Sequence, residues 1–218
     1  LQNNIVMFST LFLFIFCPAQ ASDYAYISGK NLKGSIPVLS WKTIRDSGIV
    51  KQDLDYSCGA ASIATILNEH YNLSVTEEKI LRIMAKKDMR ASFDGMASTL
   101  TGLGFRGVGY AASFEQLTKL KIPVIVYTRN RKDDHFSVLR GINSDTVWLA
   151  DPSLGNRTYS KYQFLQMWET REDPELKGKI LAIIPLSKNV QSARDFFTNQ
   201  PRRQTAQAVQ QQELRSSH

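Results

Sequence analysis

Gln52-Asp53-Leu54-Asp55-Tyr56-Ser57-Cys58-Gly59-Ala60-Ala61-Ser62-Ile63-Ala64-Thr65-Ile66-Leu67 is the stretch whose change of texture sets the architecture. Up to Ser57 it is rich in turn-forming aspartate and serine. From Cys58 onward Ala60, Ala61, Ile63, Ala64, Ile66, Leu67 and then Tyr71 recur at three- and four-residue spacing, the pattern of a helix buried over one broad face. Ser57 or Asp55 stands where a helix N-cap is expected. Cys58 therefore falls where loop becomes helix, and Gly59 leaves the backbone there uncrowded. A helix N-terminus carries partial positive charge and unpaired N–H groups, which favour a thiolate and can donate to an oxyanion.

Downstream, Ser74-Val75-Thr76-Glu77 has the form of a capping box and leads into Ile80, Leu81, Ile83 and Met84, a second helix. A third is expected from about Phe93 to Leu103 and a short fourth from Phe114 to Leu120. The texture then switches to strands at 122–127, 135–140 and 146–150, with residues 141–145 as a turn. A helix at 162–168 and a strand at 180–184 complete the pattern. Helices followed by hairpin-linked strands describe an α+β domain, helices packed against an antiparallel sheet. Upstream, the short alternation Ile36-Pro37-Val38-Leu39 suits an edge strand or an extended arm.

At 218 residues, 43% apolar and 22% charged, the chain can bury one sizeable core and a tail, which excludes a disordered chain or a multi-domain machine. Its 27 Lys and Arg against 20 Asp and Glu give +7, a charge that steers anionic partners. No basic stripe is interleaved with aromatics, so nucleic acid is not indicated. The run from Ile5 to Phe16 is almost wholly apolar and is followed by Ala19-Gln20-Ala21, the small-x-small triplet that signal peptidase cuts. Residues 1–21 are thus read as a signal peptide, with an uncleaved anchor as the alternative. The expected folded domain is 22–188. Residues 189–218, with Gln204, Gln207, Gln210, Gln211 and Gln212, are read as a polar, disordered tail.

Removing the signal leaves Cys58 as the one cysteine of an exported chain. A single thiol in an oxidising compartment is either buried and inert or kept for its chemistry. Of three histidines, His218 lies in the tail, and His70 stands beside Asn68 and Glu69 and is read as a solvated surface residue. His135 opens a strand after the charged turn 129–134, and Asp151 ends the next strand of the apparent hairpin, within reach of it. Cysteine, histidine and aspartate in that order suit a nucleophile, a base and the group that orients the base.

Gln52 strengthens this reading, because it lies six positions before Cys58. The stretch Gln52 to Ala61 resembles the nucleophile motif of the bacteriocin-processing, double-glycine leader peptidases, a family of papain-like cysteine proteases. His135-Phe136-Ser137-Val138 resembles that family's histidine block, and Ala150-Asp151-Pro152 its Asp-Pro. The resemblance covers roughly residues 45–185. It implies a papain-like fold with Cys58 as nucleophile, His135 as general base and then acid, Asp151 as orienter and Gln52 as side-chain oxyanion donor, with no metal or organic cofactor. Size, signal and glutamine-rich tail also resemble the periplasmic cysteine proteases of Pseudomonas-type functional amyloid (Fap) export systems. That implies a polypeptide substrate among amyloid subunits or their outer-membrane exporter, and no transmembrane domain once the signal is removed.

Two other chemistries remain open on the same residues. A thioacyl enzyme that passes its acyl group to an amine is an acyltransferase or transpeptidase, and a cleft that holds a peptide without cutting it is an escort module. Gly102-Leu103-Gly104-Phe105-Arg106-Gly107 satisfies a nucleotide-loop pattern, but a helix precedes it where a strand is needed, so it reads as a flexible connection.

Overall fold

The computed structural model describes residues 24–29, 33–85, 92–130 and 133–202. The segment read as a signal peptide lies outside them, as does the glutamine-rich stretch beyond residue 202. Two compact units are formed, one ending at Trp41 and the other beginning at Lys42. In the first, β1 (Tyr24–Ser28) and β2 (Lys33–Pro37) pair antiparallel, Tyr24 opposite Pro37. Helix α1 (Trp41–Asp46) spans the boundary.

The second unit begins with α2 (Cys58–Thr65), which runs on as a π-turn at Ile66–His70, then α3 (Glu77–Ala85) and α4 (Phe93–Thr101). It continues with β3 (Phe105–Ala112), α5 (Phe114–Leu117), β4 (Val124–Asn130), β5 (Asp133–Ile142), β6 (Thr146–Asp151), β7 (Gly155–Ser160), α6 (Lys161–Trp168) and β8 (Gly178–Pro185). Strands β3 to β8 form one six-stranded antiparallel sheet in the order β3-β8-β4-β5-β6-β7. Successive side chains of a strand point to opposite faces. Ile125, Val138, Leu181 and Ile183 accordingly bury against Ile63, Leu67 and Leu100 of the helical layer. Val124, Val126, Leu139, Ile180 and Ala182 bury on the other face with Leu117, Phe164 and Trp168 of α5 and α6. The central strands are therefore covered on both faces, which is why they read as continuous apolar runs. Among the described residues no helix is long and apolar enough to cross a membrane.

Four local expectations are corrected. Strand β3 occupies what was read as a flexible connection, because Gly107 and Gly109 dilute its strand signal. A Cβ on Gly107 would sit 2.7 Å from Ala97 Cα, so the glycine is what lets α4 lie on the strand. The second correction concerns residues 189–202, which pack instead of trailing as a polar tail. Phe196 and Phe197 are buried, one in each core, and Thr198 bridges Gly141 in parallel with Ile142 N–H donating to Thr198 O at 3.1 Å. Two adjacent phenylalanines supply the apolar anchors that the average composition hides. Third, His70 is buried, its Nδ1 3.1 Å from Ala193 O, because this C-terminal strap covers it. Desolvation lowers the pKa of its imidazole. Fourth, Ser57 does not cap α2. Its Oγ donates to Leu54 O at 2.7 Å and accepts from Leu54 N–H, closing the preceding turn.

Candidate active site

Cys58 is the first residue of α2 and 4% exposed. Because Ser57 is committed to its own turn, its side chain takes none of the N–H groups of the first helical turn. One turn on, Ser62 Oγ donates to Phe136 O at 3.2 Å, which ties the cysteine helix to the backbone beside His135. This buried bond helps join the helical layer to the strand that carries the imidazole.

His135 Nε2 lies 2.9 Å from Asp151 Oδ2, which leaves Nδ1 as the ring nitrogen available to the neighbouring Cys58. The sheet sets this up. Val138 pairs with Ala150, so one step further Ser137 stands opposite Asp151, and His135 lies two residues along the same side of β5. Ser137 Oγ donates to Asp151 Oδ2 at 2.8 Å, and the N–H groups of Ser153 and Leu154 donate to Oδ1 at 2.9 and 2.8 Å. Burial alone would raise the Asp151 pKa; the His135 bond, the Leu154 N–H and the Ser137 hydroxyl outweigh it and hold the carboxyl below its ordinary value. Burial likewise opposes charge on His135, but the bonds to Asp151 and Cys58 prevail and push the imidazole up to about 10.

Gln52 stands on the loop before α2, and that loop is stitched to the turn after Asp151. Gln52 N–H donates to Pro152 O at 3.2 Å and Lys51 Nζ to Ser153 O at 2.6 Å. The Gln52 amide nitrogen donates to Leu54 O at 3.0 Å, which leaves its second N–H. The structure thus brings Cys58 beside the hydrogen-bonded His135–Asp151 pair and places Gln52 on a loop that leads into Cys58 and is fastened to the turn after Asp151. Ser137 escaped the sequence reading because its role depends on strand register, which no local pattern reveals. Glu77 was also missed: its two carboxyl oxygens each accept from Asp53 N–H at 3.1 Å.

A helix presenting cysteine at its N-terminus, laid on an antiparallel sheet that carries a histidine–carboxylate pair, defines a papain-like cysteine peptidase. The Peptidase C39 family model matches residues 46–171, and the chain belongs to that family. It is 37% identical over 131 residues to a probable functional amyloid protease, FapD, of Pseudomonas fluorescens, covering 57% of this chain and 58% of that one. To the protein of the same description from Pseudomonas aeruginosa it is 33% identical over 138 residues, covering 60% and 61%. The chain thus spans less than two thirds of these relatives' length. Among solved structures, the peptidase domain of Streptococcus ComA, a bifunctional ABC transporter, aligns with TM-score 0.52 and 20% identity over 63% of this chain and 97% of that one. A double-glycine-motif protease from an AMS/PCAT transporter, in complex with its leader peptide, aligns at 0.51 and 23% over 63% and 90%. These two likenesses concern the fold.

Proposed function

We propose that this chain is an exported endopeptidase that cleaves a peptide bond in a co-exported polypeptide through a thioacyl intermediate on Cys58. The observation that carries the reading is Cys58 at a helix N-terminus beside the hydrogen-bonded pair His135–Asp151. Cys58 Sγ attacks the scissile carbonyl carbon. The resulting oxyanion is held by the Cys58 N–H and the second N–H of Gln52, where loss of one such donor lowers the rate about a hundredfold or more. Collapse breaks the C–N bond, and the imidazolium of His135 gives its proton to the leaving amine. Water then attacks the thioester, His135 takes the proton, and the thiolate leaves. Asp151, acceptor for the Nε2 proton, keeps Nδ1 turned to the sulfur throughout. The site needs no metal or organic cofactor for these steps.

Residues 1–21 as a signal peptide would deliver the chain to the periplasm. The two functional-amyloid protease relatives support a substrate in amyloid biogenesis, for which we take the amyloid subunits or their outer-membrane exporter, and the leader-bound neighbour supports a polypeptide substrate. The test is alkylation of the chain from Ser22 by iodoacetamide against pH, followed by intact mass in the wild type, Cys58→Ala and His135→Ala. Labelling confined to Cys58, fast at pH 6 and slowed by His135→Ala, is the expected result. Slow labelling indifferent to His135 would overturn the nucleophile assignment and leave an escort module. Transfer of the acyl group to an added amine in preference to water would convert the reading to a transpeptidase.

A further inference from the structure

We infer that Glu77 is a positioning residue: its carboxyl clamps the Asp53 N–H and so holds the loop that carries Gln52 in register with the Cys58 helix. Glu77 opens α3, where a capping box would direct its side chain back toward its own helix. Thr76 takes over that local duty, its Oγ1 accepting from Lys79 N–H at 3.2 Å. The Glu77 side chain turns instead to a residue 24 positions earlier, both oxygens accepting from Asp53 N–H. Glu77 is 5% exposed, and among the described residues no cation pairs with it. Burying a carboxyl group without a cationic partner is unfavourable unless its hydrogen bonds and local dipoles offset it. The N-terminus of α3 supplies the dipole and Asp53 supplies the bond.

The clamp acts on the right atoms. Asp53 directly follows Gln52, whose own N–H is tied to Pro152 O, so the peptide units on both sides of the Gln52 Cα are fixed, one by the sheet side and one by α3. The turn 54–57, closed by Ser57, then leads straight into Cys58. An oxyanion site is effective only when its donors stand in place before the charge develops. Glu77 is thus the device that keeps Gln52 preorganised, and its effect is confined to steps that form an oxyanion. This rests on the assignment of Gln52 as donor.

Two reactions of Cys58 separate the roles. Alkylation by iodoacetamide is displacement at a saturated carbon and forms no oxyanion. Acetylation by p-nitrophenyl acetate passes through one: Sγ bonds to the acyl carbon, the C–O bond breaks, and p-nitrophenolate leaves. Glu77→Ala should slow the acetylation burst about tenfold, within the range set by outright loss of a donor. Alkylation should stay within about twofold of wild type. Glu77→Gln, which keeps one acceptor oxygen, should recover most of the burst and carries the test if the alanine variant folds poorly. Gln52→Ala should slow the burst at least as much, and the double variant no further. Parallel losses in both reactions, or a wild-type burst in Glu77→Ala and Glu77→Gln, would overturn the proposal. A normal burst in Gln52→Ala beside a slow one in Glu77→Ala would instead overturn the Gln52 assignment, and with it the route by which Glu77 acts.

Discussion

Ser137 and Asp151 face each other across β5 and β6, and the serine hydroxyl donates to the same carboxyl oxygen, Oδ2, that receives His135. Asp151 Oδ2 is thus shared by two side chains of one strand, while Oδ1 is filled by backbone N–H groups. The aspartate cannot rotate without abandoning four donors, and the imidazole inherits that rigidity.

Replacing Ser137 by alanine should therefore leave Oδ2 with one donor in a buried setting. A lost hydrogen bond to a charged group costs about 1–3 kcal/mol. Urea unfolding should register that loss, and Cys58 alkylation should slow by roughly threefold. Unchanged values in both measurements would mean that the backbone donors alone hold Asp151.

Stability should fall with rising pH in a manner specific to the His135 pair. In the unfolded chain the imidazole titrates near 6.5, and in the fold it is pushed up to about 10. Its stabilisation is complete below pH 6.5 and is lost as pH rises through the folded value. Asp151, held below its ordinary value, runs the other way: its contribution is present above about pH 4 and lost as pH falls through its folded value. The pair is worth most between these limits. The unfolding free energy should drop by roughly 1–3 kcal/mol from pH 6 to 9 in the wild type, whereas in His135→Ala it should not fall and should rise slightly as buried His70, whose imidazole is held below its ordinary value, favours the neutral form. Parallel curves for the two proteins would refute the raised imidazole.

The C-terminal strap should be part of the fold. Arg140 stacks between Trp148 and Phe196, its guanidinium 4.1 and 4.6 Å from their ring centres, and Asn199 donates to Thr118 O and Leu120 O. Phe196→Ala should cost about 3–5 kcal/mol, as for other buried aromatics. A chain ending at Lys188 should melt far below one ending at Arg202. Equal melting temperatures for those two chains would show the strap to be dispensable.

Gly178 should tolerate no side chain. A Cβ there would lie 2.1 Å from Cε2 and Cζ2 of Trp168, a fully buried ring stacked on Phe164. Gly178→Ala should cost about 1–3 kcal/mol or more through overpacking, and Trp168→Phe should recover part of it. Thermal melts of the single and double variants decide the matter; a neutral Gly178→Ala would mean that the tryptophan swings away freely.

Much of the site was legible before any coordinates. The apolar period from Ala60 to Tyr71 places a helix at Cys58, and alternation around His135 and Asp151 places both on neighbouring strands. The motif of Gln52 and Cys58 carried the family. What stayed hidden was glycine-diluted β3, the Phe196–Phe197 anchor, the burial of His70 and the diversion of Glu77 from its own helix.

Sequence by itself determined the helix start at the nucleophile, the order of the reactive groups and the apolar strands, because these depend on periodicity within a dozen residues. Only the tertiary structure decided that Ser137 shares Asp151 with His135, that Ser57 leaves the first turn of α2 uncapped and that Glu77 reaches Asp53. Each of these is a buried polar group choosing among partners, and the choice is made by whichever distant segment excludes water from it.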